Sequence, residues 1–246
     1  MHFNMSWLGM GILGVATALG ASAADAPAPP PTATKIEASK IILIGDSTVA
    51  VQGGWGSSFC AEHVTSFAAC LNLARGGRSS GSYIAEGSWE LALNEARAPG
   101  YAATWLLIQF GHNDQPGKPG RSTDLATEFP ANLKRYVTEA RAAGAQPILV
   151  TPLTRRMFKE GKLENGLAPW ADTITRVAKE MNVPLIDLNA RSTAAVQAMG
   201  STAANEFAPP KFDYTHLGRK GADYFAAMVT AELATAVPEM RPLLIP

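Results

Sequence analysis

Residues 41–49 of the chain read IILIGDSTV, in which four large apolar residues are followed by glycine, aspartate and serine. A short apolar run that ends at a glycine is typical of a strand buried on both faces of a parallel sheet. The sequence therefore predicts a buried strand at Ile41–Ile44 with a tight turn after it. We expect that turn to present the Ser47 hydroxyl at the carboxyl end of the strand, where open α/β sheets bind their ligands.

The rest of the chain alternates short apolar runs with longer amphipathic segments, which indicates parallel strands and helices on both faces of one sheet. Further strands are predicted at Leu71–Ala74, Trp105–Phe110, Pro147–Val150 and Pro184–Ile186. Helices are predicted at Phe59–Phe67, Thr123–Ala143 and Trp170–Met181, with a last helix from Gly218 to Ala236.

The composition is that of a globular protein without a dominant charge. Of the 246 residues, 47% are hydrophobic and 17% are charged, so the chain can bury enough apolar surface to offset the entropy lost on folding. Lys and Arg number 21, and Asp and Glu also number 21. No net field attracts nucleic acid, which we therefore exclude as a partner, and any anionic ligand must be held by cations placed at its site.

Residues 1–23 have the pattern of a signal peptide. The apolar run Trp7–Leu19 leads into Ala-Ser-Ala, a small-x-small sequence of the kind that signal peptidase cuts, here after Ala23. We expect a secreted or periplasmic protein with no stable membrane association after cleavage. The segment before the apolar run contains no Lys or Arg, and so an uncleaved membrane anchor is the alternative interpretation.

The remainder of the chain is predicted to be one exported domain, and we expect a monomer. The proline-rich residues 24–39 would form an extended tether, and residues 40–246 the folded domain. The chain has two cysteines, Cys60 and Cys70. In an exported protein this pair is predicted to form a disulfide, with two buried free thiols as the alternative.

Several residue types that acyl transfer requires follow the predicted strands or precede the last helix. Asp213 and His216 are three residues apart, a spacing that lets a carboxylate reach the imidazole from the same turn. We therefore predict Ser47 as nucleophile, His216 as its base and Asp213 as the acid that orients the base. Gly77 and Asn113 are candidate donors to the oxyanion, through a backbone NH and a side-chain amide respectively.

These residues occur in four blocks that resemble the SGNH (GDSL) hydrolases. The blocks are Gly45-Asp46-Ser47, Gly77, Gly111-x-Asn113 and Asp213-x-x-His216. The resemblance implies a three-layer α/β/α sandwich with a parallel sheet, flavodoxin-like in topology, and a mechanism without a cofactor. It also implies an oxyanion hole made by the backbone NH groups of Ser47 and Gly77 and the side chain of Asn113.

Residues that flank the four blocks resemble the rhamnogalacturonan acetylesterases and their bacterial relatives. They are Gly54-Trp55-Gly56, Gly77-Arg78-Ser79, Phe110 to Asp114, and Thr151-Pro152 with Arg155-Arg156. We therefore expect a serine esterase that removes O-acetyl groups from a cell-wall polysaccharide, with rhamnogalacturonan favoured. Two positions depart from that family, because arginine usually stands where this chain has Gly81 and often where it has Ser88.

An acidic polysaccharide would need cations and aromatic surfaces at the site. The residues predicted to contact the substrate are Trp55, Arg78, Arg155 and Arg156. The sequence has no cluster with metal-ligand spacing, and we predict no metal. A neutral acetylated glycan such as xylan, and acyl transfer to another sugar, remain alternative activities.

Two competing interpretations assign the chemistry elsewhere. Residues 77–81 fit the Gly-x-Ser-x-Gly elbow of α/β-hydrolases, with Ser79 as nucleophile, although no clear helix is predicted after Gly81. A non-catalytic carbohydrate-binding protein would instead use aromatic side chains as stacking platforms. The candidates for that role are Trp55, Tyr83, Trp89 and Trp170.

Overall fold

The apolar run at the start of the domain forms a strand, and strands and helices alternate after it. The computed structural model describes residues 36–246. The strands are β1 (Ser39–Gly45), β2 (Ala68–Asn72), β3 (Thr104–Gln109), β4 (Gln146–Val150), β5 (Phe158–Lys159), β6 (Lys162–Leu163) and β7 (Leu185–Ile186). The helices are α1 (Gly56–Glu62), α2 (Ser80–Ala85), α3 (Ser88–Arg97), α4 (Glu128–Ala142), α5 (Ala168–Met181), α6 (Leu188–Asn205) and α7 (Arg219–Ala236), followed by a 3-10 helix at Pro238–Leu243.

Five of the strands form one parallel sheet in the order β2-β1-β3-β4-β7. Strand β1 lies between β2 and β3, with Ile41 opposite Cys70 on one side and Trp105 on the other. Every residue of β1 is buried, as expected for a strand with neighbours on both edges and helices on both faces. The predicted parallel sheet is confirmed. Strands β5 and β6 form a separate antiparallel pair that was not predicted.

Alternate side chains of β1 enter two different hydrophobic clusters, because successive residues of a strand point to opposite faces. Ile41 and Leu43 pack with residues of α1, α6 and α7. Ile42 and Ile44 pack on the other face with residues of α3, α4 and α5. The sheet is therefore the middle layer of a three-layer α/β/α sandwich, which confirms the predicted fold class.

One difference from the predicted helices occurs in a stretch where serine is abundant. Helix α2 follows Ser79, whose side chain accepts a hydrogen bond from the Ser82 backbone while the Ser82 side chain accepts one from the Ser79 backbone. This reciprocal capping satisfies NH groups that a helix end otherwise leaves unpaired. A serine-rich stretch that resembles a loop in composition therefore begins a helix, and the prediction of no clear helix after Gly81 was wrong.

The predicted disulfide is present. Cys60 in α1 and Cys70 in β2 are bonded, with their Cα atoms 5.5 Å apart. The bond joins a helix on one face of the sheet to the edge strand of the same sheet. Helix α1 begins at Gly56 and ends at Glu62, several residues earlier than the predicted segment.

The predicted signal peptide and most of the predicted tether lie outside the described residues. Within residues 36–246, no helix combines the length and the apolar character needed to cross a lipid bilayer.

Reduction of the Cys60–Cys70 bond should lower the melting temperature and leave esterase activity in place. A closed loop of this length contributes about 2 to 3 kcal/mol through the entropy of the unfolded chain, and each kcal/mol shifts the melting temperature of a domain of this size by roughly 2 to 4 °C. Calorimetry with and without reductant measures the shift. The double variant Cys60→Ala, Cys70→Ala is the control and should not respond to reductant; equal melting temperatures for oxidised and reduced wild type would contradict the prediction.

Candidate active site

The turn after β1 is held by the side chains on either side of Ser47. Asp46 Oδ1 accepts hydrogen bonds from the backbone NH and the hydroxyl of Thr48, both at 2.8 Å. The Thr48 hydroxyl in turn accepts a hydrogen bond of 2.7 Å from Gln109 Nε2 at the end of β3. Asp46, Thr48 and Gln109 are buried, whereas Ser47 is partly exposed. These buried hydrogen bonds therefore fix the turn, and the turn directs the Ser47 hydroxyl towards solvent.

Ser47 meets two residues at this turn that are distant from it in sequence. His216 Nε2 lies 2.9 Å from Ser47 Oγ, and His216 Nδ1 lies 2.9 Å from Asp213 Oδ2. With a proton on Nδ1 donated to the carboxylate, Nε2 is free to accept the serine proton. The structure thus brings the predicted nucleophile, base and orienting acid into hydrogen-bond contact in the order that acyl transfer requires.

The Asp213 carboxylate is held in its ionised form. Its other oxygen, Oδ1, accepts hydrogen bonds from the backbone NH groups of Thr215 at 2.7 Å and His216 at 2.6 Å. Partial burial acts to raise the pKa of Asp213, but the hydrogen bonds from His216 and Thr215 and the interaction with the imidazole outweigh it, and the pKa lies below its ordinary value. Asp213 therefore stays negative wherever the imidazole has to be stabilised as a cation.

Arg156 holds the loop that carries Asp213 and His216. Its Nη2 donates hydrogen bonds of 2.7 Å to the backbone carbonyls of both residues, and only 1% of its surface is exposed. The prediction that Arg156 contacts the substrate is therefore wrong, because its guanidinium is buried beneath the loop and donates to the loop's carbonyl groups. On the opposite side, the Leu217 NH donates to the Gly53 carbonyl at 2.8 Å, which ties the same loop to the segment after Ser47.

The two predicted oxyanion donors lie on loops that contact each other. Gly77 has φ of 80°, a left-handed conformation that side chains rarely tolerate. A Cβ on the preceding Gly76 would lie 3.6 Å from Ser47 Cβ, so this loop runs directly beside the nucleophile turn. Asn113 Nδ2 donates a hydrogen bond of 3.1 Å to the Arg78 carbonyl. The structure therefore brings the loop of Gly77, the Asn113 amide and the Ser47 turn together.

The buried carboxylate of Asp114 holds the loops below these donors in place. Asp114 accepts hydrogen bonds from the Ser80 backbone and hydroxyl, the Gly111 backbone and the Thr123 hydroxyl. Burial raises the pKa of Asp114 to about 6, although the hydrogen bonds from Ser80 and Thr123 act in the opposite direction. Sequence analysis did not assign Asp114 a role; its position beside Asn113, directly after a strand, was the available signal.

His112 and Asp46 form a second buried pair beneath the site. His112 Nδ1 lies 3.4 Å from Asp46 Oδ2, and both side chains are almost wholly buried. Burial acts to raise the pKa of Asp46, but the neighbouring His112 side chain and the hydrogen bonds from Thr48 bring it below its ordinary value. The pair connects the residue before Ser47 to the residue before Asn113.

The aromatic residues predicted to face a sugar are inside the protein. Trp55 is fully buried, and its Nε1 donates a hydrogen bond of 3.1 Å to Gln109 Oε1. The prediction that Trp55 contacts the substrate is therefore wrong, because its ring fills the core under α1 and supports the nucleophile turn through Gln109. The aromatic platforms proposed for a binding protein are buried as well: Tyr83, Trp89 and Trp170.

Two aromatic side chains that sequence analysis did not select are exposed beside the catalytic loop. Phe212 is 51% exposed and Tyr214 is 46% exposed, and their rings pack edge to face with centroids 5.0 Å apart. They flank Asp213 in the sequence, which was the signal that could have identified them. Their exposure suits contact with the apolar faces of a sugar ring.

The two remaining predicted cations have different surroundings. Arg78 Nε donates to both carboxylate oxygens of Glu86, at 3.1 and 2.9 Å, and Nη1 donates to the Gly76 carbonyl. Arg155 donates from Nε to the Thr215 hydroxyl at 3.2 Å, between the two catalytic-loop residues Asp213 and His216. Arg78 is thus neutralised by a neighbouring acid, whereas Arg155 lies at the site.

Ser79, the competing nucleophile, has a buried hydroxyl. Its Oγ accepts a hydrogen bond of 3.1 Å from the Ser82 NH, and no part of the residue is exposed. The hydroxyl is engaged at the helix start, and its hydrogen bonds are to serine rather than to a base.

Within residues 36–246, no group of three or more His, Cys, Asp or Glu side chains is placed to bind a metal ion. Catalysis without a metal or other cofactor stays a prediction.

Replacement of Ser47 by Ala should leave a folded protein whose turnover of p-nitrophenyl acetate is lower by several orders of magnitude, because the attacking oxygen is lost. Ser79→Ala is the matched control. It removes a helix cap, at a cost of about 1 kcal/mol in stability, and should retain most of the activity. Steady-state kinetics together with melting curves measure both effects, and loss of turnover in Ser79→Ala alone would place the nucleophile in the elbow instead.

Comparison with known proteins agrees with this geometry. Residues 43–224 match the model of the GDSL-like Lipase/Acylhydrolase family. The chain is 35% identical over 202 residues to the probable rhamnogalacturonan acetylesterase YesY of Bacillus subtilis (strain 168), a match that covers 78% of this chain and 91% of that protein. It is 36% identical over 210 residues to the rhamnogalacturonan acetylesterase RhgT of the same organism, covering 77% of this chain and 87% of that protein.

Among solved structures, the crystal structure of the protein YXIM of Bacillus subtilis is similar, with a TM-score of 0.69 and 27% identity. The match covers 81% of this chain and 57% of that chain. The family model spans most of the described fold and includes the nucleophile turn, the Gly77 loop and Asn113, together with Asp213 and His216. The chain therefore belongs to the GDSL-like lipase/acylhydrolase family.

Proposed function

We propose that this protein is a serine esterase that removes O-acetyl groups from rhamnogalacturonan through an acyl-enzyme on Ser47. The observation that carries the proposal is the continuous set of hydrogen bonds from Ser47 through His216 to Asp213. The substrate is suggested by the relatives that are 35% and 36% identical to the chain, since both are named as rhamnogalacturonan acetylesterases.

In the first half of the reaction, Ser47 Oγ attacks the ester carbonyl while His216 Nε2 takes its proton. Asp213 holds the imidazole in the orientation that the transfer needs and stabilises the imidazolium that forms. The carbonyl oxygen of the ester becomes negative in the tetrahedral intermediate. The backbone NH groups of Ser47 and Gly77 and the amide of Asn113 would donate to it, and one such donor is typically worth about 3 to 4 kcal/mol in the transition state.

In the second half, the sugar hydroxyl leaves with the proton from His216, and acetyl remains bonded to Ser47. Water then attacks the acyl-enzyme while His216 takes its proton. The bond between acetyl and Ser47 Oγ breaks, Oγ regains a proton from His216, and acetate is released. Before substrate binds, the Asn113 amide is engaged with the Arg78 carbonyl at 3.1 Å. This hydrogen bond uses one of the two N–H donors of the Asn113 amide, and so the amide group is oriented before the oxyanion forms.

We infer that the protein acts outside the cytoplasm, as a monomer without stable membrane association. The disulfide between Cys60 and Cys70 supports this location, because such bonds persist in secreted and periplasmic compartments and are rare in the cytosol. The pattern of residues 1–23 supports it as well. The mature chain would then begin at Ala24.

A neutral acetylated glycan such as xylan is the second candidate substrate, and one observation favours it. Gly81 opens onto a cavity of about 390 Å³ whose wall includes Thr123 and Asn132. A Cβ at Gly81 would already lie 3.2 Å from the Thr123 methyl group. An arginine at this position would need its neighbours to move, and so position 81 contributes no cation to a wall that also contains Arg121 and Glu128.

Acetate release should decide between the two substrates. If the polymer is acidic, release from acetylated rhamnogalacturonan should exceed release from acetylated xylan at low salt. The excess should shrink as ionic strength rises, because the screening length falls from about 30 Å at 0.01 M to about 3 Å at 1 M. A preference for xylan that salt does not alter would refute the acidic substrate and leave the esterase mechanism intact.

The pH profile should show one acid limb. His216 acts as a base only when neutral, so kcat/KM for p-nitrophenyl acetate should fall as pH is lowered. Asp114, whose pKa burial raises to about 6, can contribute to the same fall because its carboxylate holds the loops below the oxyanion donors. Because the pKa of Asp213 lies below its ordinary value, the carboxylate stays charged through that fall and adds no step of its own.

The matched variant is Asp213→Asn, which keeps the size of the side chain and removes its charge. It should lower kcat by orders of magnitude, because the imidazolium loses its stabilising partner. A wild-type rate that stays constant down to about pH 4, where carboxyl groups titrate, would contradict the assignment of His216 as base.

A further inference from the structure

A buried histidine that the reaction mechanism does not use lies below the site. His112 is 3% exposed and Asp46 is fully buried, and His112 Nδ1 lies 3.4 Å from Asp46 Oδ2. Within residues 36–246, neither ring nitrogen of His112 nor Oδ2 of Asp46 has another hydrogen-bond partner. Buried polar groups are normally paired, and so each of these two side chains offers the other the partner that it lacks.

The two side chains belong to turns that carry reacting groups. Strands β1 and β3 are neighbours in the parallel sheet. Asp46 follows the end of β1 and directly precedes the nucleophile Ser47. His112 follows the end of β3 and directly precedes Asn113, the side-chain donor to the oxyanion. The contact between His112 and Asp46 therefore joins the backbone next to the nucleophile to the backbone next to the donor.

The loop around His112 is also held from its other side. A Cβ at Gly111 would lie 3.2 Å from Pro152 Cγ, so the loop packs closely against the segment after β4. The Gly111 NH donates a hydrogen bond of 3.1 Å to Asp114 Oδ2. With the loop held in this way, a change in the contacts of the His112 ring acts on Asn113, the next residue.

We propose that His112 is a positioning residue, which donates from Nδ1 to Asp46 Oδ2 and thereby sets the separation between the Ser47 turn and the Asn113 amide. A neutral imidazole then carries its proton on Nδ1, and a hydrogen bond to a carboxylate is stronger than one between neutral groups. Hydrogen bonds that serve a reaction are often long in the free enzyme and shorten in the transition-state complex. The inference rests on the oxyanion hole of the proposed function and does not depend on the identity of the polysaccharide.

A positioning role predicts a specific kinetic change. Formation and hydrolysis of the acyl-enzyme both pass through an oxyanion bound by the same donors, so a displaced Asn113 amide slows both halves of the reaction together. kcat then falls while KM stays nearly constant, because the lost interaction is made only in the transition state. A displacement of about 1 Å can reduce a rate on the order of a hundredfold.

The test compares His112→Asn with His112→Leu. The amide nitrogen of asparagine is as many bonds from Cα as Nδ1 of histidine and can donate to Asp46, whereas leucine has the same branching and no donor. Both variants lose the ring, so they share the loss of packing and differ in the donor. His112→Gln keeps a polar side chain but places its amide nitrogen one bond further out, near the position of Nε2, and should behave like His112→Leu.

The substrate is p-nitrophenyl acetate, and rates are expressed per serine labelled by a fluorophosphonate probe, so that unfolded molecules are not counted. His112→Leu and His112→Gln should lower kcat about tenfold to a hundredfold with little change in KM, whereas His112→Asn should retain most of the wild-type kcat. Val177→Ala is the control for lost packing. Val177 is fully buried in α5, and its truncation should lower the melting temperature without lowering kcat per labelled serine.

Equal kcat values for His112→Asn and His112→Leu, or a kcat for His112→Leu that is as high as that of Val177→Ala, overturn the positioning role. Asn113→Ala separates this failure from failure of the proposed function. If Asn113→Ala lowers kcat while the His112 variants do not differ, the positioning role alone is refuted. If Asn113→Ala keeps the wild-type kcat, the oxyanion hole of the proposed function is refuted, and the positioning role with it.

Discussion

The buried carboxylate of Asp46 is the constraint on which the nucleophile turn depends. A charge without access to water costs several kcal/mol unless it is compensated. Here Oδ1 accepts two hydrogen bonds from Thr48, and Oδ2 lies 3.4 Å from His112 Nδ1. Since Thr48 follows Ser47 directly, its two hydrogen bonds to Asp46 Oδ1 fix the backbone on both sides of the nucleophile. The position of the Ser47 hydroxyl is thus set by the electrostatics of the residue before it.

The loop opposite Ser47 is held by a charge of the other sign. Arg156 is as deeply buried as Asp46, and its guanidinium satisfies the carbonyls of both Asp213 and His216. A backbone carbonyl left without a partner inside a protein is costly. The contacts of Arg156 therefore favour the one loop conformation in which the imidazole faces Ser47. Two buried charges, one beneath each loop, bring the reacting side chains within hydrogen-bond distance.

The sequence predicted the parts of this arrangement that depend on local patterns. Apolar runs ended by glycine identified the parallel sheet, and the spacing of Asp213 and His216 identified a pair that meets across one turn. The prediction that Trp55 contacts the substrate was wrong because the position of its ring depends on Gln109, 54 residues further along the chain. Arg155 and Arg156 are adjacent, and no local pattern distinguishes the half-buried Arg155 from the fully buried Arg156. They differ because Arg156 donates to the carbonyls of a loop that is distant in sequence.

The distribution of charge matters more for this protein than its total. Positive and negative residues are equal in number, and at physiological ionic strength an exposed charge acts over about 8 Å. A polymer that approaches the surface therefore responds to the charges near its own groups and not to the net value. Pairs such as Arg78 with Glu86 cancel at short range. Arg155, which contacts Thr215 in the catalytic loop, forms no ion pair within the described residues, and so a positive charge remains close to where the ester must bind.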